Sequence, residues 1–295
     1  MTFREPQTKP LIHLVVMDFD DTLYDWIGHF MPAFDAMIRT AAPLLDITEE
    51  ELRKQLKTIH EFYGNTEQPF ALLETMAAQQ HFGTMGRDEQ RCALAPAFAA
   101  FDKVRAEKLK LYSDVEPTLT RLGEEGIPVV GYSAASTVNI AKRVKMLGLA
   151  PYFTCIYASP FTGKAFPGSW LSPSEKIPVV ELNRPKPDPD AVCRITDDMN
   201  VTPTTTLFVG DSVATDIAPA IAGGAQAALI QRDGTSTAIW LPDLLKISHR
   251  AAETRADSAS LTDDDLARVP VLKSLVELWQ HFHFVSNRVS TQETT

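Results

Sequence analysis

Residues 11–17 are apolar at every position except His13 and lack the alternation of a strand with one wet face. Such a run suits a parallel strand covered on both sides. It stops at Asp18-Phe19-Asp20-Asp21-Thr22, an acidic turn directly beyond a buried strand. From residue 26 the period changes. Phe34, Met37, Ile38 and Ala41 recur at helical spacing, and Thr48-Glu49-Glu50-Glu51 reads as a capping box ahead of a helix carrying Leu52, Leu56 and Ile59. Further helical patterns cover residues 70–82 and 96–111, with breaks at Gly83 and Gly86.

A second texture follows. Residues 116–125 predict a helix, 127–132 a strand, 137–147 a helix and 156–158 the start of a strand. Later come a strand at 206–209, a helix at 217–224 and a strand at 227–230. Strands alternating with helices predict an α/β fold with a mostly parallel sheet. The expected organisation is a discontinuous core, residues 1–24 and 112–285, interrupted by a helical insertion at 25–111. Prolines and glycines at 159–183 predict an extended loop or small hairpin within that core. Residues 248–260 are polar, after which Leu266, Leu272, Leu275, Val276 and Trp279 predict a terminal helical region. A flexible tail is expected over 286–295.

At 295 residues the chain suits one large domain or two smaller ones, and a formal charge of −10 argues against a broad nucleic-acid or anionic-membrane footprint. No nucleic-acid or membrane partner is therefore expected, although a local basic pocket could still bind phosphate and net acidity identifies no substrate. Cys92, Cys155 and Cys193 are odd in number and widely spaced, which fits neither a metal cluster nor a disulfide framework. With no secretory pattern at the start, a cytoplasmic location is the expectation.

The candidate chemistry begins with Asp18 and Asp20. Separated by one residue, their side chains fall on one side of an extended backbone. One carboxylate can attack phosphorus while the other protonates the departing alkoxide and then activates water. An isolated Asp-Phe-Asp also fits a solvated turn. Gly210-Asp211-Ser212-Val213-Ala214-Thr215-Asp216 supplies a second acidic turn after a strand, and two such turns facing one cavity suit a hard cation such as Mg2+. Ser133, at the end of the 129–132 strand region, fits either a phosphate contact or the cap of the next helix. Lys186, between Pro185 and Pro187, can offset the carboxylates or sit in solvent.

Taken in order, Asp18-Phe19-Asp20-Asp21-Thr22-Leu23, Ser133, Lys186 and the 210–216 turn closely resemble the four motifs of the haloacid dehalogenase-like hydrolase superfamily. The resemblance implies a Rossmann-like core with an inserted helical cap. It implies Asp18 as nucleophile, Asp20 as general acid and base, and Thr22 as support for the first loop. Ser133 and Lys186 would bind the phosphoryl group, and Mg2+ would be held by Asp18, the Asp20 carbonyl, Asp211 and Asp216. Trp26, His29, Arg53 and His60 are candidate specificity residues in or facing the cap. Asp20 favours a phosphatase or phosphomutase over a dehalogenase, and hydrolysis of a small phosphorylated metabolite is the first choice because it needs only water to attack the aspartyl phosphate. A sugar phosphomutase, or a non-catalytic phosphate- or metal-binding regulator, are the alternatives. Two departures stand out. Ala134 follows Ser133 where many relatives carry asparagine or a glycine-containing loop, and the 159–183 segment is long for a minimal member, with pocket edging or homo-oligomer formation as its candidate roles.

Overall fold

The computed structural model describes residues 8–68, 70–164, 178–249 and 262–286. The predicted strand at 11–17 is two strands. β1 (Leu11–Ile12) leaves the main sheet, whereas β2 (Leu14–Met17) is its central strand. His13 marks the break, its Nδ1 donating to the Val285 carbonyl at 2.7 Å while its backbone N–H reaches Thr205 O at 2.8 Å.

Around β2 stand β3 (Val129–Ser136), β4 (Cys155–Ser159), β5 (Val179–Glu181), β6 (Thr206–Gly210), β7 (Gln226–Ile230) and β8 (Val271–Leu272), in the order β5-β4-β3-β2-β6-β7-β8. All six pairings are parallel, giving the Rossmann-like arrangement expected from the alternating pattern. Leu14 and Val16 enter the apolar layer on one side of the sheet, and Val15 and Met17 enter the layer on the other. Burial on both faces explains why β2 reads as a continuous apolar run.

Within the predicted 159–183 loop, residues 179–181 form the edge strand β5, parallel to β4. Residues 165–177, the middle of that segment, lie outside the described residues, as does the predicted tail from 287 onward.

The 26–111 region is helical. Asp25 caps α1 (Trp26–Leu44) by accepting from Gly28 N at 2.9 Å, and Thr48 caps α2 (Glu49–Tyr63) by accepting from Glu51 N at 3.2 Å. The continuous pattern at 70–82 is broken at Thr75, whose extended backbone and side chain cap α3 (Met76–Phe82). α4 (Arg87–Ala93) and α5 (Ala95–Lys108) complete the group, and α5 packs along α1.

Three helices serve the sheet: α6 (Val115–Glu124), α7 (Thr137–Met146) and α8 (Ala191–Asp198). The predicted helix at 217–224 is shorter, α9 (Ala218–Ala222), because the preceding residues Val213–Ile217 form a wider π turn. A further helix, α10 (Thr237–Leu245), went unpredicted. It packs on α1, and Trp240, Leu244 and Ile247 join the apolar cluster of the helical insertion. That cluster is thus built from two separate stretches of chain.

The terminal region is less helical than its apolar spacing suggests. Leu272 lies in β8, and a single helical turn, Leu278–His281, leads to β9 (His283–Phe284), which pairs in parallel with β1. Pro270 and the Ser274–Glu277 cap interrupt the segment, so its buried leucines anchor short pieces.

Candidate active site

Strand register brings the motifs together. Met17 lies opposite both Gly131 on β3 and Val209 on β6, so Asp18, Ser133 and Asp211 all emerge at the same carboxyl edge of the sheet. Ligands bind at this edge in open α/β folds. Two glycines permit the close approach. A Cβ on Gly131 would lie 2.5 Å from the Phe19 ring, and one on Gly210 would lie 2.3 Å from Asp216 Cγ.

Asp18 is buried at the centre. Its Oδ1 accepts from Lys186 Nζ at 2.6 Å and its Oδ2 accepts from the Thr22 hydroxyl at 3.0 Å. Lys186 is itself buried, donates to Tyr132 O at 3.1 Å and makes a close ion pair with Asp216. Asp216 is fixed by the Ser212 backbone N–H, which donates to its Oδ2 at 3.1 Å. Burial alone would lower the Lys186 pKa, but Asp18 and Asp216 hold it above the ordinary lysine value, so the ammonium is permanent.

One ammonium does not balance the cluster. Single carboxylate oxygens of Asp18, Asp211 and Asp216 lie within 4.8 Å of one another. Burial pushes Asp18 up to about 7, with Asp216 and Asp20 adding to the effect of desolvation against Lys186. Asp211, at the exposed mouth, is also raised, by partial desolvation and then by the Asp18 and Asp216 charges. Three hard oxygen donors with surplus negative charge fit a divalent cation, which would relieve that repulsion.

Asp20 occupies a different environment. Its Oδ1 accepts from the Tyr24 hydroxyl at 2.7 Å and from Arg143 Nη1 at 3.0 Å, and its side chain retains 26% exposure. Burial, more than any neighbouring charge, pushes the Tyr24 hydroxyl upward, which keeps it a donor. The two aspartates are therefore differentiated by surroundings, one among cations and carboxylates and one under a tyrosine and an arginine. The Ser133 hydroxyl accepts from Ala135 N at 3.1 Å in the irregular end of β3, and Ser136 rather than Ser133 stands at the N-cap of α7. Arg184 points away from the cluster, pairing with Asp188 and Asp190 at 3.3 and 2.7 Å.

The cap candidates separate. Arg53 braces α2 to α1 by donating to Asp35 Oδ1 at 2.8 Å, and Trp26 stacks on Phe30 at 5.3 Å; neither lines the cavity below the cap. His60 does line it and donates from Nδ1 to Ile247 O at 2.7 Å. His29 is buried edge-on to Tyr24, and neither ring nitrogen has a hydrogen-bond partner.

Several site residues escaped the sequence reading: Tyr24, Glu67, Arg143 and Arg232. Arg143 had a signal, since it shares a helical face with the buried Ile140 and Val144, an odd place for a cation without a partner. Arg232 braces the first loop by donating twice to Thr22 O, at 2.7 and 3.1 Å, and holding Asp114 in a bidentate pair. Only the tertiary fold brings Glu67, Arg143 and Arg232 to the loop that follows β2.

The sequence profile of the haloacid dehalogenase-like hydrolase family matches residues 12–224, which spans all four motifs. The chain belongs to this family. As a haloacid dehalogenase-like hydrolase, it combines the family's parallel core with helical insertions that match a cap. It is 26% identical over 226 residues to the glyceraldehyde 3-phosphate phosphatase of Methanopyrus kandleri, covering 75% of this chain and 85% of the relative. Its fold resembles the crystal structure of 2-haloacid dehalogenase from Pseudomonas syringae pv. tomato DC3000, with a TM-score of 0.53 and 20% identity over 92% of this chain and 97% of the other. Among its described residues, no helix of this hydrolase is long and apolar enough to cross a membrane.

Proposed function

We propose that this hydrolase releases phosphate from a small phosphate monoester through a covalent phosphoryl group on Asp18, with Mg2+ as its cation. The observation that carries the reading is the buried Lys186 ammonium, 2.6 Å from Asp18 Oδ1 and paired also with Asp216, beside a second aspartate held in a separate environment. Lys186 orients the Asp18 carboxylate and offers positive charge to the incoming phosphate. Thr22 holds the other Asp18 oxygen.

An Asp18 oxygen attacks phosphorus and the bond from phosphorus to the ester oxygen breaks. The leaving oxygen takes a proton from Asp20. Water then attacks the phosphoryl group, gives its proton to Asp20 and returns Asp18 as a free carboxylate with inorganic phosphate. Ser133 donates its hydroxyl proton to a nonbridging phosphate oxygen. Asp18, Asp211, Asp216 and the Asp20 carbonyl form the proposed Mg2+ set, and the bound ion supplies charge neutralisation for the phosphate oxygens. The phosphatase name carried by the Methanopyrus relative supports the same reaction class.

A panel of phosphate monoesters assayed with Mg2+ tests the proposal. Phosphate release from at least one ester, abolished by Asp18→Asn in a folded protein, is the expected result. No release across the panel from folded, Mg2+-supplied protein overturns it.

A further inference from the structure

Between α1, α5, α7 and the chain following α2 lies a cavity of about 120 Å3. Phe30, Phe34, Phe70, Phe98 and Phe101 supply rings to its wall. That volume approaches the roughly 150 Å3 of an apolar protein cavity that accepts a benzene molecule. Five rings on the wall of a cavity this small suit one ring-sized group.

The wall also carries Gln68, which is only 6% exposed and which, among the described residues, has no hydrogen-bond partner for its amide oxygen or its amide nitrogen. Buried amides without partners are costly, and a ligand bearing one polar substituent would satisfy this one. At the polar edge Arg105 and Lys142 share the single Asp102 carboxylate.

Phe30, Glu67 and Phe101 also line a smaller adjoining space, whose wall includes His29 and Arg143, and Arg143 contacts Asp20. His29 is neutral there, because burial and then the Arg143 and Arg105 charges drive its pKa down to about 2.

Resting on the phosphatase reading above, we propose that the cap cavity receives the leaving group of the ester and that this group is an apolar, ring-sized alcohol carrying one hydrogen-bonding substituent opposite Gln68. The substrate class is thus an aryl or arylalkyl phosphate in preference to a polyol phosphate.

The test compares benzyl phosphate with glycerol phosphate, alongside benzyl alcohol binding followed by NMR. Specificity for benzyl phosphate should exceed that for glycerol phosphate by about tenfold or more. Benzyl alcohol should shift cap resonances saturably. Ala71 also lines the cavity, and filling it with Ala71→Leu, once its thermal melt shows a folded protein, should erase both effects. Equal specificity for the two esters in the wild-type protein overturns the inference and leaves the phosphatase reading intact. Absence of turnover of these two esters and of the whole monoester panel, together with saturable benzyl alcohol binding, overturns the phosphatase reading and supports the cavity. Absence of benzyl alcohol binding overturns the cavity assignment, whichever ester is hydrolysed.

Discussion

Arg143 donates from Nη1 to Asp20 Oδ1 at 3.0 Å and grips the Glu67 carboxylate with both terminal nitrogens at 3.2 and 3.0 Å. One guanidinium on a core helix thereby joins the proposed acid and base to a residue following the second cap helix. Asn139, one turn earlier, reinforces the same contact by donating to Glu67 O at 2.9 Å. The helical insertion and the proposed proton-transfer group are mechanically connected.

Removing that guanidinium leaves two carboxylates without their cation in a largely buried place. Arg143→Met should cost about 3 kcal/mol of stability. A thermodynamic cycle with Glu67→Gln should show a coupling of about 1 kcal/mol or more, since the groups touch. Denaturant unfolding of the four proteins checks both values.

Asp20→Asn should separate the two halves of the proposed reaction. For alkyl phosphates, whose departing oxygen needs a proton, the rate should fall by about 100-fold to 10,000-fold. With 4-nitrophenyl phosphate, whose leaving group departs as an anion, Asp18 should still be phosphorylated while water is no longer activated. Rapid-mixing absorbance should show one equivalent of nitrophenolate per site followed by a stall, and steady release without a burst would contradict the assignment.

The carboxylate cluster predicts opposite effects of one substitution with and without cation. Asp211→Asn removes a charge from a crowded set, so the metal-free variant should melt above metal-free wild type. Wild type should gain about 2.7 kcal/mol at Mg2+ concentrations 100 times its dissociation constant, and the variant should lose most of that gain. Thermal melts in chelator and across a Mg2+ titration measure both.

The cap should weaken in acid. Burial drives His60 down to about 4 from an ordinary value of 6.5, and His29 further, to about 2. The unfolded chain therefore binds protons that the folded one refuses, so the histidine contribution to stability is intact above pH 6.5 and is lost as pH falls toward 4. At pH 5 each histidine should cost about 2 kcal/mol. The raised Asp18 works in the opposite direction. His60→Gln, which keeps a donor for Ile247 O without titrating, isolates the histidine contribution when unfolding is followed from pH 7 to pH 5.

Local pattern carried much of this protein. The apolar runs before Asp18 and before Gly210 are legible because parallel strands buried on both faces leave a signature a few residues long. The helices of the insertion announce themselves through period and caps, and the motif residues stand at strand ends because ligand-binding loops of this fold lie there. Chain-local chemistry thus determined the α/β class, the helical insertion and the positions of Asp18, Asp20, Ser133, Lys186, Asp211 and Asp216. Partners distant in sequence carried no such signature. That α10 would join the cap cluster, that β1 would pair with β9, and that Arg143 would reach from Asp20 to Glu67 depended on packing between separate stretches of chain. Asp18 and Asp20 stand two residues apart and have the same side chain. Burial beside Lys186 and contact with Tyr24 and Arg143 give them different surroundings, and only the tertiary structure decided which received which.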